Sequence, residues 1–230
     1  MKQDGLRIKY EDIEQPVQPD NSCCHGLCLS LRSAQTTPSP SGRNCRLTEC
    51  STDPSGRKDI YMNLIRYDSV KENEYISYIQ EWEEEGKTII PGASDRRGRS
   101  LFEMINKWNF DETDETIIDG FVPSTLYFLT DDDSRIYGAI HHRHILNDNL
   151  KLHGGHIGYG VRPSERKKGY GSLMLKLLLE RLDHSKNKKY LLTCDETNIA
   201  SQKTIEKNGG ILEMKIEFEG KLTRKYWINI

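Results

Sequence analysis

The chain has 230 residues, a length that suits one or two domains. Its net charge of -2 argues against a nucleic-acid-binding protein that relies on bulk positive charge, and no apolar run approaches the roughly 18 residues of a membrane span. The N-terminus carries no apolar signal core, so we expect a cytoplasmic protein without nucleic-acid or membrane partners.

Residues 1–59 have the composition of a segment that does not fold by itself. Between Asp20 and Ser55 the chain is rich in Ser, Thr, Pro, Gly and Arg, and large apolar side chains are few. Burial therefore cannot offset the entropy lost on ordering. We predict a disordered or weakly ordered extension, followed by a domain over 60–230. The strand-like string Met62–Tyr67 begins with methionine, so a start site placed too early is an alternative origin of the upstream part.

Cysteines are concentrated in this extension. Their spacing is looser than the C-x2-C pairs typical of zinc sites, so we predict no bound metal. In the domain, Cys194 lies in an apolar run and is expected to be a buried core residue rather than a nucleophile. The cysteines of the extension are Cys23, Cys24, Cys28, Cys45 and Cys50.

The first half of the domain predicts a strand, two helices and two further strands. From Glu72 to Glu85, apolar residues recur at helical spacing. The stretch from Ser100 to Trp108 begins with the S-x-x-E pattern of a capping box. A turn rich in aspartate joins the next two strands, and a polar loop over 146–155 follows them. These strands are predicted at Ser124–Thr130 and Arg135–Ile145.

A basic turn with two glycines follows the strand His156–Val161 and precedes a leucine-rich helix. It runs from Arg166 to Gly171, RKKGYG, and matches neither the P-loop string nor the G-x-G-x-x-G dinucleotide pattern. The N–H groups of a helix's first turn are unpaired and lie at the positive end of its dipole. We therefore predict a phosphate or pyrophosphate site here, with a merely solvated basic turn as the alternative.

The last part of the chain predicts a buried strand, a helix and a hairpin. Asn198 opens the helix, and Asn208-Gly-Gly closes it. A Glu-Gly pair joins the final two strands. The predicted elements are the strand Tyr190–Cys194, the helix Ile199–Lys207, and the strands Ile211–Phe218 and Leu222–Asn229.

The string R-x-x-G-x-G, from Arg166 to Gly171, resembles the coenzyme A loop of the GNAT acyltransferase superfamily, [RQ]-x-x-G-x-[GA]. The elements after it follow in the GNAT order, and the resemblance covers Met62 to Ile230. The phrases GGHIGYGVRPSERKKGYG, NIASQKTIEKNGG and KYWINI are similar to a branch of predicted bacterial acetyltransferases. The resemblance implies an α+β fold with a central, mostly antiparallel twisted sheet flanked by helices.

The resemblance also implies that acetyl-CoA binds as the co-substrate. Its pyrophosphate would lie on the basic turn and its pantetheine arm beside the strand before it. Asn198 and Ser201 match positions that often touch this arm in the family, although Asn198 is equally explained as a helix N-cap. The predicted cofactor-binding residues are Tyr159, Gly160, Val161, Arg166, Lys167, Lys168, Gly169, Tyr170, Gly171, Asn198 and Ser201.

The catalytic residues depart from the family pattern. Many members carry a glutamate five residues before the strand-ending proline, and this position is Gly158. The nearest titratable group on its face is His156, while His142 and His144 share one face of the preceding strand. Histidine titrates near neutral pH, so we predict that His156, His142 and His144 include the general base, with a structural role as the alternative for each.

The usual general acid is missing as well, because Ile205 stands where family members often place a tyrosine. Four tyrosines are alternatives that the sequence does not rank, namely Tyr159, Tyr170, Tyr190 and Tyr226.

We therefore predict an N-acetyltransferase in which a primary amine of a small molecule or peptide attacks acetyl-CoA directly in a ternary complex. A non-catalytic acyl-CoA-binding sensor or interaction module is the alternative, and a homodimer is compatible with the sequence. Carboxylates near the first two helices would attract a cationic acceptor, or they form a solvated acidic surface. They are Glu81, Glu83, Glu84, Glu85, Asp111, Glu112, Asp114 and Glu115.

Overall fold

The computed structural model describes residues 8–9 and 60–230, apart from positions 184, 186 and 219. Apart from Ile8 and Lys9, the residues of the predicted disordered extension, including its cysteines, lie outside this part. Within it, no helix is long and apolar enough to cross a membrane. The described residues also contain no group of three or more His, Cys, Asp or Glu side chains that could hold a metal ion.

The strands of the described part form two antiparallel sheets. The first has the order β1-β2-β3-β4-β5 and the second β6-β8-β7. The short strand β1 pairs with the start of β2, so residues ahead of position 60 add to the first sheet. The strands are β1 (Ile8–Lys9), β2 (Tyr61–Arg66), β3 (Ser124–Thr130), β4 (Ile136–Arg143), β5 (Ile157–Val161), β6 (Lys189–Asp195), β7 (Gly210–Phe218) and β8 (Lys221–Asn229).

Helices alternate with these strands in the predicted order, with one addition. The helices are α1 (Glu72–Glu85), α2 (Leu101–Asp111), α3 (Asp148–Leu152), α4 (Tyr170–Arg181) and α5 (Ile199–Lys207). The capping box of α2 is confirmed, because Ser100 and Glu103 each accept a hydrogen bond from the other's backbone N–H. The stretch predicted as a polar loop contains α3, which Asn147 caps by accepting from the Leu150 N–H.

Two hydrophobic cores cover the two faces of the first sheet. One packs α4 against residues such as Ile140 of β4, and the other packs α1 and α2 against residues such as Ala139. Successive residues of a strand point to opposite faces, so β3 and β4 contribute to both cores. The predicted α+β class, with a mostly antiparallel sheet flanked by helices, is confirmed.

Candidate functional site

Strands β5 and β6 are edge strands of different sheets, and a gap separates most of their length. They are joined at the start of β5, where the His156 N–H donates to the Leu191 carbonyl at 2.7 Å. No further backbone hydrogen bond joins Ile157–Val161 to β6 in the part of the chain that the structure describes. The unpaired edge of β5 is therefore available to an extended ligand that adds to the sheet as a strand would.

The turn after β5 presents a set of unpaired donors. Gly169, the N-cap of α4, has φ of 86°, a left-handed conformation that favours glycine. The backbone N–H groups of Lys167, Lys168, Gly169, Gly171 and Ser172 donate no hydrogen bond to another described residue. These N–H groups and the helix dipole create a favourable position for an anion. The exposed side chains of Lys167 and Lys168 add positive charge, although Lys168 also binds Glu165 at 2.9 Å.

Two ion pairs hold this turn against α1. The buried guanidinium of Arg162 binds the carboxylate of Glu81, which also accepts from the Ser164 N–H at 2.6 Å. Burial opposes ionisation of Glu81, but the hydrogen bonds from Arg162 and Ser164 hold its pKa below the ordinary value. Arg166 donates to Glu85 at 2.6 Å and lies over the Trp82 ring. The Arg166 side chain thus binds α1, and only its backbone remains at the turn.

Tyr159 spans the gap from β5 to the first turn of α5. Its hydroxyl lies 2.9 Å from the Ser201 Oγ, and burial raises its pKa to about 12. The phenol is therefore protonated at neutral pH. Asn198 Oδ1 accepts a hydrogen bond from the Ser201 N–H, so its N-cap role is confirmed. Ile205, at the position of the missing family tyrosine, is fully buried in the core.

Two of the remaining predicted cofactor residues, Val161 and Gly171, lie along this gap. Val161 ends β5, and Gly171 lies in the first turn of α4, where its Cα faces the Tyr159 ring. Tyr170 is buried with its ring 4.8 Å from that of Tyr137. Gly160 faces the opposite side of the sheet, where a Cβ would come 2.0 Å from the Ile90 carbonyl oxygen. The segment between α1 and α2 therefore lies directly on β5.

His156 lies at the joined end of β5 and β6. Its Nδ1 accepts the Leu191 N–H at 2.9 Å, so in the neutral ring Nε2 carries the proton. Neither nitrogen is then free to take a proton from a substrate. Burial lowers the pKa of His156 to about 4, and the residue lines a cavity beside Lys189 and Trp227, away from α5. This geometry favours the structural alternative for His156.

His142 and His144 do share one face of β4, as expected, and their rings lie 5.2 Å apart. Their face is that of α4, because His142 is paired with Ile157 in the register of β4 and β5. Burial, with a smaller contribution from neighbouring charges, lowers the pKa of His142 to about 3. His144 Nε2 lies 2.9 Å from the Thr125 hydroxyl. Neither ring lies on the face of Gly158.

Two residues that the sequence prediction omitted do lie on that face. His141 is directly opposite Gly158, and Arg143 follows two residues later on the same face. A Cβ on Gly158 would lie 3.8 Å from both terminal nitrogens of Arg143. Burial, and then the charge of Arg143, hold the pKa of His141 well below its ordinary value. Its ring is therefore neutral at physiological pH, and the same lowering of its pKa makes it a weaker base than an exposed histidine.

The acidic side chains near the first helices are mostly engaged in ion pairs. Besides the pairs of Glu81 and Glu85, carboxylates bind Arg96, Lys107 and Arg66. The carboxylates in these three pairs are Glu83, Asp111 and Glu112. Within the described residues, Glu84, Asp114 and Glu115 form no ion pair. Most of the cluster therefore stabilises the domain and its turn, which reduces the support for a cationic acceptor.

Comparisons with known proteins agree with this geometry. The model of the Acetyltransferase (GNAT) family matches residues 90–210. A search of curated proteins gives no match. Among solved structures, RimL, a ribosomal L7/L12 alpha-N-protein acetyltransferase in complex with coenzyme A, is similar at 15% identity and a TM-score of 0.51. The similarity covers 74% of this chain and 94% of RimL.

Two other solved structures have the same TM-score. The ribosomal-protein-S5-alanine acetyltransferase from Vibrio fischeri is 14% identical, over 74% of this chain and 92% of its own. The microcin C7 self-immunity acetyltransferase MccE, in complex with acetyl-CoA and AMP, is 18% identical over 77% and 98%. At these identities the structures establish a shared fold.

Proposed function

The chain belongs to the acetyltransferase (GNAT) family, and we propose that it transfers the acetyl group of acetyl-CoA to a primary amine by direct attack in a ternary complex. The observation that carries the proposal is the arrangement at the end of β5. An unpaired strand edge leads there into unpaired N–H groups at the start of α4. Both features suit a long ligand with an extended arm and a pyrophosphate.

The residues present fit acetyl-CoA, which supplies the thioester carbonyl that the amine attacks. The N–H groups of Lys167, Lys168, Gly169, Gly171 and Ser172 would hold the pyrophosphate, and the β5 edge from Tyr159 to Val161 would hold the arm. Backbone N–H groups on this edge would also polarise the carbonyl. Asn198 and Ser201 would line the arm from α5. The ion pairs that Glu81 and Glu85 form with the turn keep this arrangement in place.

Direct attack is favoured over a covalent acetyl-enzyme. Cys194 is buried, and burial raises the pKa of its thiol. A thiol of that kind is a poor nucleophile at neutral pH, because the thiolate is the reactive form. The expected kinetic signature is an intersecting initial-rate pattern, whereas a parallel pattern would indicate a covalent intermediate.

The amine must lose a proton before it attacks. We assign the general base to His141, ahead of His156, His142 and His144, because it lies directly opposite Gly158 in the register of β4 and β5. Gly158 is the position where the family often places its glutamate. The leaving thiolate needs a proton donor, and Tyr159 fits because its hydroxyl lies between β5 and α5 with a pKa of about 12.

Acetyl-CoA-dependent thiol release by the full chain, over a panel of amines, tests this function. The panel contains amino acids, polyamines, aminoglycosides and lysine peptides. Release that depends on one class of amine, and that falls in a His141→Gln variant, supports the transferase. The absence of release with every amine, while acetyl-CoA binds in a parallel titration, would favour the non-catalytic acyl-CoA-binding module.

A further inference from the structure

The guanidinium of Arg143 is only partly satisfied by the fold. Its Nη1 donates to the carbonyl oxygens of Gly154 and Gly155, both at 3.0 Å. Nη2 and Nε donate no hydrogen bond to any residue that the structure describes. Two planar donors on one side of the group are thus left for a ligand, in the fork geometry that matches a carboxylate.

The charge of Arg143 is also uncompensated. No described carboxylate forms an ion pair with it, and burial alone accounts for the lowering of its pKa. His141, two residues away, offers no negative charge, because burial and then the charge of Arg143 hold its pKa well below the ordinary value. A partly buried cation without a counter-ion is costly, so an anionic ligand gains more here than at an ordinary surface arginine.

Gly158 leaves the space in front of this guanidinium open. A Cβ there would make only ordinary contact, 3.8 Å from Nη1 and from Nη2. A longer acidic side chain at this position would bind Arg143 and close the space. The glycine therefore leaves the fork accessible from the face that carries Gly158 and, opposite it, His141.

We propose that the amine acceptor itself carries a carboxylate, as a free α-amino acid does, and that Arg143 binds this carboxylate. The proposal rests on the proposed acetyl transfer and specifies its substrate class. On one strand face, Cβ atoms two residues apart are separated by about 7 Å. An α-amino acid bound to Arg143 therefore places its amine beside His141 and over Gly158.

The test compares each amino acid with its own carboxamide in the full chain. We expect the wild-type kcat/KM to favour the acid at least tenfold, since an unfilled guanidinium fork rejects the neutral analogue. In Arg143→Met the ratio of acid to amide should fall about tenfold or more from its wild-type value. Comparing this ratio between the two enzymes cancels the difference in amine basicity. Lys176→Met, which removes an exposed charge from α4, is the control and should keep the wild-type ratio.

Two further readouts separate this inference from the proposed function. Binding of the amino acid in the presence of CoA, measured by calorimetry, should be lost in Arg143→Met. Thermal unfolding of the variant and its affinity for acetyl-CoA show whether it is still folded. Acetyl transfer with no preference for acids, or an Arg143→Met loss that is equal for acid and amide, would overturn the carboxylate assignment and leave the transferase intact. Amino-acid binding that depends on Arg143 without any turnover would sustain the assignment and overturn the transferase.

Discussion

The two faces of β5 differ in how they are built. One face carries Tyr159 and Val161, whose side chains pack towards α4 and α5 beside the basic turn. The other carries Gly158 and Gly160, and its chemistry comes from side chains of β4 and from the segment after α1. The first face belongs to a contiguous motif, whereas the second is assembled by strand register. The proposed cofactor face can therefore be predicted from the sequence, while the proposed acceptor face cannot.

The largest expected effect tests which histidine is the general base. Replacement of His141 by glutamine should lower kcat about 10²-fold or more, because glutamine cannot accept the proton of the amine. The matched variant His156→Gln should affect thermal stability more than kcat, because its ring accepts the Leu191 N–H. Steady-state kinetics with one amine, at fixed pH, distinguishes the two. A large kcat loss in a folded His156→Gln enzyme, with His141→Gln near wild type, would reverse the assignment.

The two glycines of the acceptor face should respond differently to one methyl group. In Gly160→Ala the new Cβ would meet the Ile90 carbonyl at 2.0 Å, so backbone must shift. We expect a loss of about 1–3 kcal/mol in the free energy of unfolding. Gly158→Ala makes only contacts of 3.8 Å and should be close to neutral. Thermal unfolding of both variants measures this, and equal stability would show that the segment after α1 does not rest on β5.

Charge reversal at the turn should weaken the binding of acetyl-CoA rather than that of the amine. Lys167→Glu places a negative charge beside the unpaired N–H groups, and we expect the KM for acetyl-CoA to rise several-fold, or about 1 kcal/mol. Lys176→Glu makes the same change on the exposed middle of α4 and should have little effect. An equal rise in both variants would indicate a general charge effect instead of a local phosphate site.

The smallest effect is a shift in the pH profile. The pKa of His141 is lowered by burial and by Arg143, so the base stays neutral and activity should persist below pH 6.5. Arg143→Met removes the second cause, which raises the pKa of His141 and moves the acid limb of kcat to higher pH. An acid limb that does not move would show that the charge of Arg143 does not affect the pKa of the general base.

The sequence predicted elements that local signals determine. Helix α1 was predicted at its observed bounds, Glu72–Glu85, since its apolar spacing is regular. The glycine turn and the cap at Asn198 are also local signals, because the residue types themselves indicate a turn and a helix start. The five-residue helix α3 was missed, because so short a segment shows no periodicity.

Tertiary partners could not be predicted in the same way. Glu81 and Arg162 are 81 positions apart, and nothing local indicates that one binds the other. The face of His141 depends on its register with Gly158, which a single sequence does not specify. The spacing of His141 and Arg143 is a signal that would have identified the acceptor face once that register was known.

Acetyl-CoA-dependent thiol release by the full chain, with and without the His141→Gln change, tests the account most directly. We predict release that requires an amine, and a turnover about 10²-fold lower in the variant, with acetyl-CoA affinity unchanged in a binding titration. Binding of acetyl-CoA without release for any amine would contradict the proposed transferase.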